Sequence, residues 1–357
     1  MSIDLGNTPV GTPPTTPQQQ QIRAALGAVG DAPIDGEKYV RQDGQWVYLT
    51  PPPNRAYDVN NIVLFEEASD IIPDSWAPAN ADVTRVVFKS TLTTIGAYAF
   101  AWDYNLTNIT IPDSVTSIGS KAFYATGHDA TAADPENGFT MGNGVTTIGA
   151  EAFEFFLFPP NTSLNLNNVT DIGAWCFASG YGVPSNIVSV NFGSNLSSLG
   201  DHAFQSVNGQ SSSSLQSVTF DPGCPLATIP AWGFYGCTTL QNITIPDSVT
   251  IIGSSAFYYC IGLQSITIPD SVTSIGSIAF GSCEGLTSVT IGSGITSIGV
   301  QAFIFCTSLV NVQCLAMVAP TGDGEIFLAT AATEIHVPVG ATGYDTTFGG
   351  LTVVQDL

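Results

Sequence analysis

The sequence predicts an α/β repeat solenoid, a curved rod with one short parallel strand per repeat and about nine repeats of 23–30 residues, preceded by a small helix and a β-hairpin. Three observations carry this. Residues 252–260, 275–283 and 298–306 align without gaps at a 23-residue step, and a fixed period of this size marks units that bury their apolar side only against their neighbours. Nine phenylalanines hold the register along the chain: Phe100, Phe123, Phe153, Phe177, Phe204, Phe234, Phe257, Phe280 and Phe303. Each unit also opens on a short β-branched run that stops at Pro or Gly, as in residues 240–245, 263–268 and 286–291, which reads as a strand.

Taken in order, residues 1–28 form a Pro-rich tether followed by a short helix, with Thr16 as its cap, Pro17 at its first position and Gly27 at its end. About ten residues of helix do not stand alone in water. Ile22 and Leu26 are therefore expected to pack on another chain or a partner. Residues 29–54 hold a hairpin, 39–42 with 45–49 around Asp43-Gly44, then the stiff linker Pro51-Pro52-Pro53. Tyr39 and Trp46 join Ile22 and Leu26 as anchoring residues. Residues 55–90 are assigned to an end piece that covers the first repeat, 91–313 to the solenoid and 314–357 to a closing cap. Within a repeat, Pro246-Asp247-Ser248 and Pro269-Asp270-Ser271 are turn chemistry, the Asp bonding the backbone two residues on. Three longer repeats place loops near 125–138, 179–186 and 206–214, where an insertion is either neutral or part of a binding side.

The repeated unit, Ile-Pro-x-x-Val-x-x-Ile-Gly-x-x-Ala-Phe-x-x-Cys, resembles the BspA-like leucine-rich repeat from about residue 91 to 357. That resemblance implies a curved leucine-rich-repeat rod in a surface-exposed binding or adhesion protein, and no reaction. The chain departs from the pattern at Trp175-Cys176-Phe177, at Trp232-Gly233-Phe234 and at Ile229-Pro230. Residues 31–48 (Ala32-Pro33-Ile34-Asp35-Gly36, Tyr39, Arg41, Gly44, Trp46-Val47) resemble an amino-terminal tag of bacteriophage tail-fibre and other virion structural proteins. It is equally the pattern of a small hairpin cap.

Composition narrows the function classes. The chain has 357 residues, 44% of them apolar and only 10% charged, so it can bury a large core beneath a Ser, Thr, Asn and Gly surface. Acids outnumber bases 29 to 7, and no Lys or Arg follows Lys121. Nucleic-acid binding and attachment to an anionic bilayer both need the missing cations. No stretch is long and apolar enough to span a membrane, and residues 1–6 do not resemble an export signal, so membrane insertion and signal-directed secretion are not expected. Four of seven cysteines, Cys237, Cys260, Cys283 and Cys306, recur at the repeat period; they are either buried thiols, disulfides or metal ligands, and the spacing supports the first.

No residues converge on catalysis. His128, His202 and His336 fall in an inserted loop, a return segment and the end cap, and neither a nucleophile elbow nor a phosphate loop is present. Asp113, Asp247 and Asp270 supply one carboxylate per turn, fewer oxygens than calcium takes. Neither a cofactor nor a metal is implied. The repeats do create a sheet face with two outward columns: Asn108, Ser217, Asn242, Ser265, Ser288 and Asn311 beside Thr110, Thr219, Thr244, Thr267, Thr290 and Gln313. These are the candidate binding residues, for a polysaccharide or, equally, for water alone. The expectation is a non-enzymatic virion protein assembled in the host cytoplasm, a tail-fibre or appendage subunit and homotrimer. It would join other virion proteins through residues 1–50 and offer its rod to a host-surface glycan or protein. The alternative is a BspA-like adhesion or protein-interaction module of a cell, or a capsid decoration protein.

Overall fold

The computed structural model describes residues 69–76, 86–127, 138–180, 186–206, 214–322 and 324–357 in full, and residues 39–42, 45–48, 54–57, 63–67 and 85 as strand backbone. Successive coils lie on one another in parallel register. The long strand Ser265–Ile268 pairs with Ser288–Ile291, which pairs with Asn311–Cys314, so Ser265, Ser288 and Asn311 share one column and Thr267, Thr290 and Gln313 the next. Alternation along each strand sends Ile266, Val289 and Val312 inward, all of them buried.

Each coil carries a second parallel strand, which corrects the expectation of one. Ile251–Ile252, Ser274–Ile275 and Ser297–Ile298 pair in sequence, and the same arrangement runs from Ile71–Ile72 to Ser198–Leu199 further up the chain. At two residues these strands are too short to show a period of two, which is why sequence alone reads them as a return stretch. No helix occurs among the described residues.

The phenylalanines stack as one continuous column. Ring centroids from Phe100 to Phe303 are 5.0–5.7 Å apart and the planes lie within 16° of parallel. The column extends beyond the nine rings expected, because Phe327 stacks on Phe303 at 5.2 Å. Trp76 and Phe88 close its other end edge-on to Phe100. Around it, Leu240, Leu263 and Leu286 and the short-strand isoleucines make one contiguous core.

Glycine before each Ala-Phe turn is a matter of space. A Cβ at Gly276 would sit 2.4 Å from the Ser254 amide nitrogen, because the coils touch backbone to backbone there. The amide of this glycine also ties the coils together, as Gly253 N–H donates to the Ile229 carbonyl at 2.8 Å. Pro230 occupies the same place one coil earlier and has no N–H to give. The short-strand sheet divides at that coil, into six strands ending at Ser198–Leu199 and four beginning at Thr228–Ile229.

At the amino-terminal end Asn54–Tyr57 pairs antiparallel with Val63–Glu67 and with Arg85–Val87, and the last of these leads into the long-strand sheet through Arg85 and Asn108. At the other end Glu334–Val337 and Leu351–Gln355 add parallel strands, and Thr347–Phe348 turns back antiparallel. Tyr39–Gln42 and Gln45–Tyr48 pair as the Asp43-Gly44 signal predicts. The helix expected at 16–27, with Ile22 and Leu26, the side chains of Tyr39 and Trp46, His128 and most of the three inserted loops lie outside the described residues.

Candidate functional site

The sheet face is built as the sequence indicated. Asn108, Thr110, Ser217, Thr219, Asn242, Thr244, Ser265, Thr267, Ser288, Thr290, Asn311 and Gln313 are all exposed or half-buried, while the residues between them face the core. Some of these polar groups bond along the column: Thr219 Oγ1 donates to Asn191 Oδ1 at 2.7 Å, and Asn191 Nδ2 donates to Asn167 Oδ1 at 2.7 Å. Where Thr244, Thr267 and Thr290 meet the Pro-Asp-Ser turns there is a groove of about 510 Å³, with Asp247 and Asp270 on its rim and Ile245, Ile268 and Leu315 in its floor. Hydroxyls, two carboxylates and an apolar floor together suit a polyhydroxyl ligand that both donates and accepts.

The turn residues act between coils and not within the turn, which corrects the expectation for Asp. Asp270 Oδ1 accepts the Ser293 amide at 2.6 Å and Asp113 Oδ1 accepts that of Asn143 at 2.8 Å. The Ser293 amide, then its hydroxyl, holds the Asp270 carboxyl below the usual carboxylate range. Ser271 Oγ donates to the Val249 carbonyl of the preceding coil at 2.7 Å, and Ser248 does the same to Leu226 at 2.8 Å.

All seven cysteines are reduced and buried. Each periodic thiol donates to the carbonyl of the phenylalanine one coil before it: Cys260 to Phe234 at 3.2 Å, Cys283 to Phe257 at 3.1 Å and Cys306 to Phe280 at 3.1 Å. Burial pushes the Cys176, Cys260 and Cys283 thiols up. A thiol reagent is accordingly expected to modify none of the seven in the native protein and all seven after denaturation, as read by intact mass. Thr126 occupies the same column and donates to the Phe100 carbonyl at 2.8 Å. Asp103 is the column's first member, fully buried with neither carboxyl oxygen partnered, and burial pushes it up to about 8.

Nothing assembles for catalysis among the described residues. His202 lies between two tryptophans and His336 pairs with Asp356 at 2.9 Å in the end region, so the two histidines serve separate places. Among the described residues no group of three or more His, Cys, Asp or Glu could hold a metal, and no helix is long and apolar enough to cross a membrane.

The feature that sequence reading missed is the turn face. Two positions in each coil, two places before and two places after the column phenylalanine, lie on the turn, and most take left-handed backbone, among them Tyr98 (φ 54), Trp102 (φ 63), Trp175 (φ 59), Trp232 (φ 59) and Tyr259 (φ 62); the large rings there are exposed or half-buried, whereas the small residues Ala125, Ser179, Ser206, Ser255 and Ser282 are buried. Side chains other than glycine pay about 1–2 kcal/mol for that conformation. Here the rings gather in a band: Trp175 on His202 at 3.9 Å, His202 on Trp232 at 5.6 Å, Tyr235 on Tyr258 at 5.3 Å. Phe156 and Phe158 are buried in the core, whereas Phe155 is half-buried beside Tyr124 on this face. Reading the positions flanking each Ala-Phe coil by coil would have exposed the band; Trp175 and Trp232 register in the sequence only as departures from the repeat.

A family model described as "BspA type Leucine rich repeat region" matches six copies over residues 72–208 and 227–343, more than two thirds of the chain. The chain belongs to this family. Solved structures similar to this BspA-type chain include a leucine-rich repeat protein from Bacteroides ovatus, 20% identical over 91% of this chain and 100% of that one, with a TM-score of 0.34. A leucine-rich cell surface protein from Faecalibacterium prausnitzii is 20% identical over 92% and 96%, TM-score 0.32, and the pneumococcal vaccine antigen PcpA is 14% identical over 84% and 82%, TM-score 0.39. No curated protein matches. The BspA-type match begins at residue 72.

Proposed function

We propose that this BspA-type chain is a non-enzymatic adhesion subunit whose sheet face binds a glycan or protein on a host surface, carried on a virion appendage by residues 1–50. The observation that supports binding is the in-register sheet face, where hydroxyl and amide side chains repeat at every coil beside a groove rimmed by Asp247 and Asp270. A repeated flat surface meets a repeated ligand at many points, so weak contacts add along the rod. The tail-fibre part of the reading is supported by the residue pattern at 31–48 alone. Family membership equally favours a cell-borne adhesion or interaction module, which is the second reading.

Substituting Ser265→Arg together with Ser288→Arg blocks the face without touching the core. The expected result is loss of binding of the full-length protein to host cells with an unchanged melting temperature; full retention of binding would reject the sheet face. Mass spectrometry of purified particles separates the two carriers, since a virion subunit appears in them in stoichiometric amount. Light scattering tests the homotrimer, against which a monomeric full-length protein would count.

A further inference from the structure

We propose that the aromatic turn face from Tyr98 to Tyr259 is a second interaction surface, distinct from the sheet face, and that its occupant is a protein segment bearing exposed lysine or arginine side chains. Placement is the first reason. Among the described residues between 69 and 313, a range in which Tyr181 is not described, the tryptophans and tyrosines other than Trp76 and Tyr104 stand on the Ala-Phe turns, within two places of a column phenylalanine. Tryptophan and tyrosine with exposed edges are the residues that concentrate binding energy at protein interfaces. Five of them, Tyr98, Trp102, Trp175, Trp232 and Tyr259, stand at the left-handed turn positions that recur coil after coil, so the repeat itself sets their rings at a regular spacing along the face.

Charge chooses the occupant. Lys121 already shows what the face accepts: its Nζ lies 5.7 Å from the Tyr98 ring centre, 5.3 Å from that of Tyr124, and 2.9 Å from Glu151 Oε2. An ammonium group held between rings and a carboxylate is a cation–π site with its counter-ion. Beyond Lys121 the rings continue through Trp175, Trp232 and Tyr259 and exposed acids continue at Asp201 and Glu284, but the chain supplies no further Lys or Arg. These later coils therefore bring no cation of their own to the rings. An uncharged sugar can hydrogen-bond to those carboxylates but gains no charge attraction from them, whereas a basic segment gains charge attraction from both the rings and the acids.

The test uses the full-length protein and a short peptide alternating lysine and glycine, followed by tryptophan emission and calorimetry at physiological salt. One double variant, Trp232→Ser with Tyr259→Ser, removes rings without changing charge; the chain itself places Ser255 and Ser282 at the equivalent positions with φ 54 and 55, so the fold accepts serine there. A second, Asp247→Asn with Asp270→Asn, removes charge from the sheet-side groove. The expected result is saturable binding that falls about tenfold in the first variant and less than about twofold in the second. Equal losses in both would reduce the effect to general acidity and overturn the proposal. Binding of cellohexaose that is lost with the rings would overturn it in favour of a neutral glycan, and self-association lost with the rings would do so in favour of a second copy. The Ser265→Arg and Ser288→Arg variant should leave peptide binding intact, so failure of the sheet-face reading is seen separately.

Discussion

Replacing Phe257 by alanine is expected to lower stability by about 3–5 kcal/mol, read from the denaturation midpoint. The side chain is fully buried and stacks on Phe234 at 5.4 Å and Phe280 at 5.2 Å, so its loss opens a void between two coil interfaces at once. A solenoid derives its cooperativity from nearest-neighbour interfaces, and a weakened one lets its two halves unfold apart. Phe257→Ala should therefore also broaden or split the transition. Phe327→Ala, at the end of the column, should cost less and leave it single. A midpoint for Phe257→Ala within about 1 kcal/mol of wild type would show that the column is not what couples the coils.

Stability is expected to fall as the pH rises from about 4 to about 8, which is the reverse of ordinary acid denaturation. Burial raises Asp103 from 3.8 to about 8. Burial, and then the hydrogen bond and charge of neighbouring Glu151, raise Glu154 from 4.5 to about 8. Each native carboxyl keeps its proton while the unfolded chain has already released it. The native state therefore binds more protons across this window, and its advantage, complete below the unfolded pKa, is spent by the time the pH passes the folded one. For Asp103 this amounts to on the order of 5 kcal/mol at most. Asp70, held low by Lys89 and Thr91, and Asp270, held low by the Ser293 amide, act in the other direction and lose their contribution only as the pH falls below the ordinary carboxylate range. The optimum should thus lie at mildly acidic pH. Asp103→Asn should flatten the slope and stabilise the protein at pH 8; an unchanged slope would remove Asp103 as its source.

Much of this architecture is legible residue by residue. The interval between Phe257 and Phe280 sets the coil, the alternation in Ser265-Ile266-Thr267-Ile268 sets which side chains face out, and both appear unchanged in the structure. The thiols of Cys260 and Cys283 are stacked core groups, as their spacing indicates. Less legible are contacts that run from coil to coil. Asp270 looks like a local turn residue until the amide of Ser293 is found against it. Asp103 looks like a surface acid until it falls in the column of Cys260 and Thr126.

By itself, then, the sequence determined the repeat length, the inward and outward columns of the long strands, the acidity of the rod and the family it resembles. These follow from periodicity and composition, which need no knowledge of neighbours. Only the tertiary structure decided that each coil has a second strand, that Pro230 divides the short-strand sheet, and that the tryptophans and tyrosines of distant repeats form one exposed band. Those features depend on which atoms of one coil lie against the next, and stacking brings together residues that the chain keeps more than twenty positions apart.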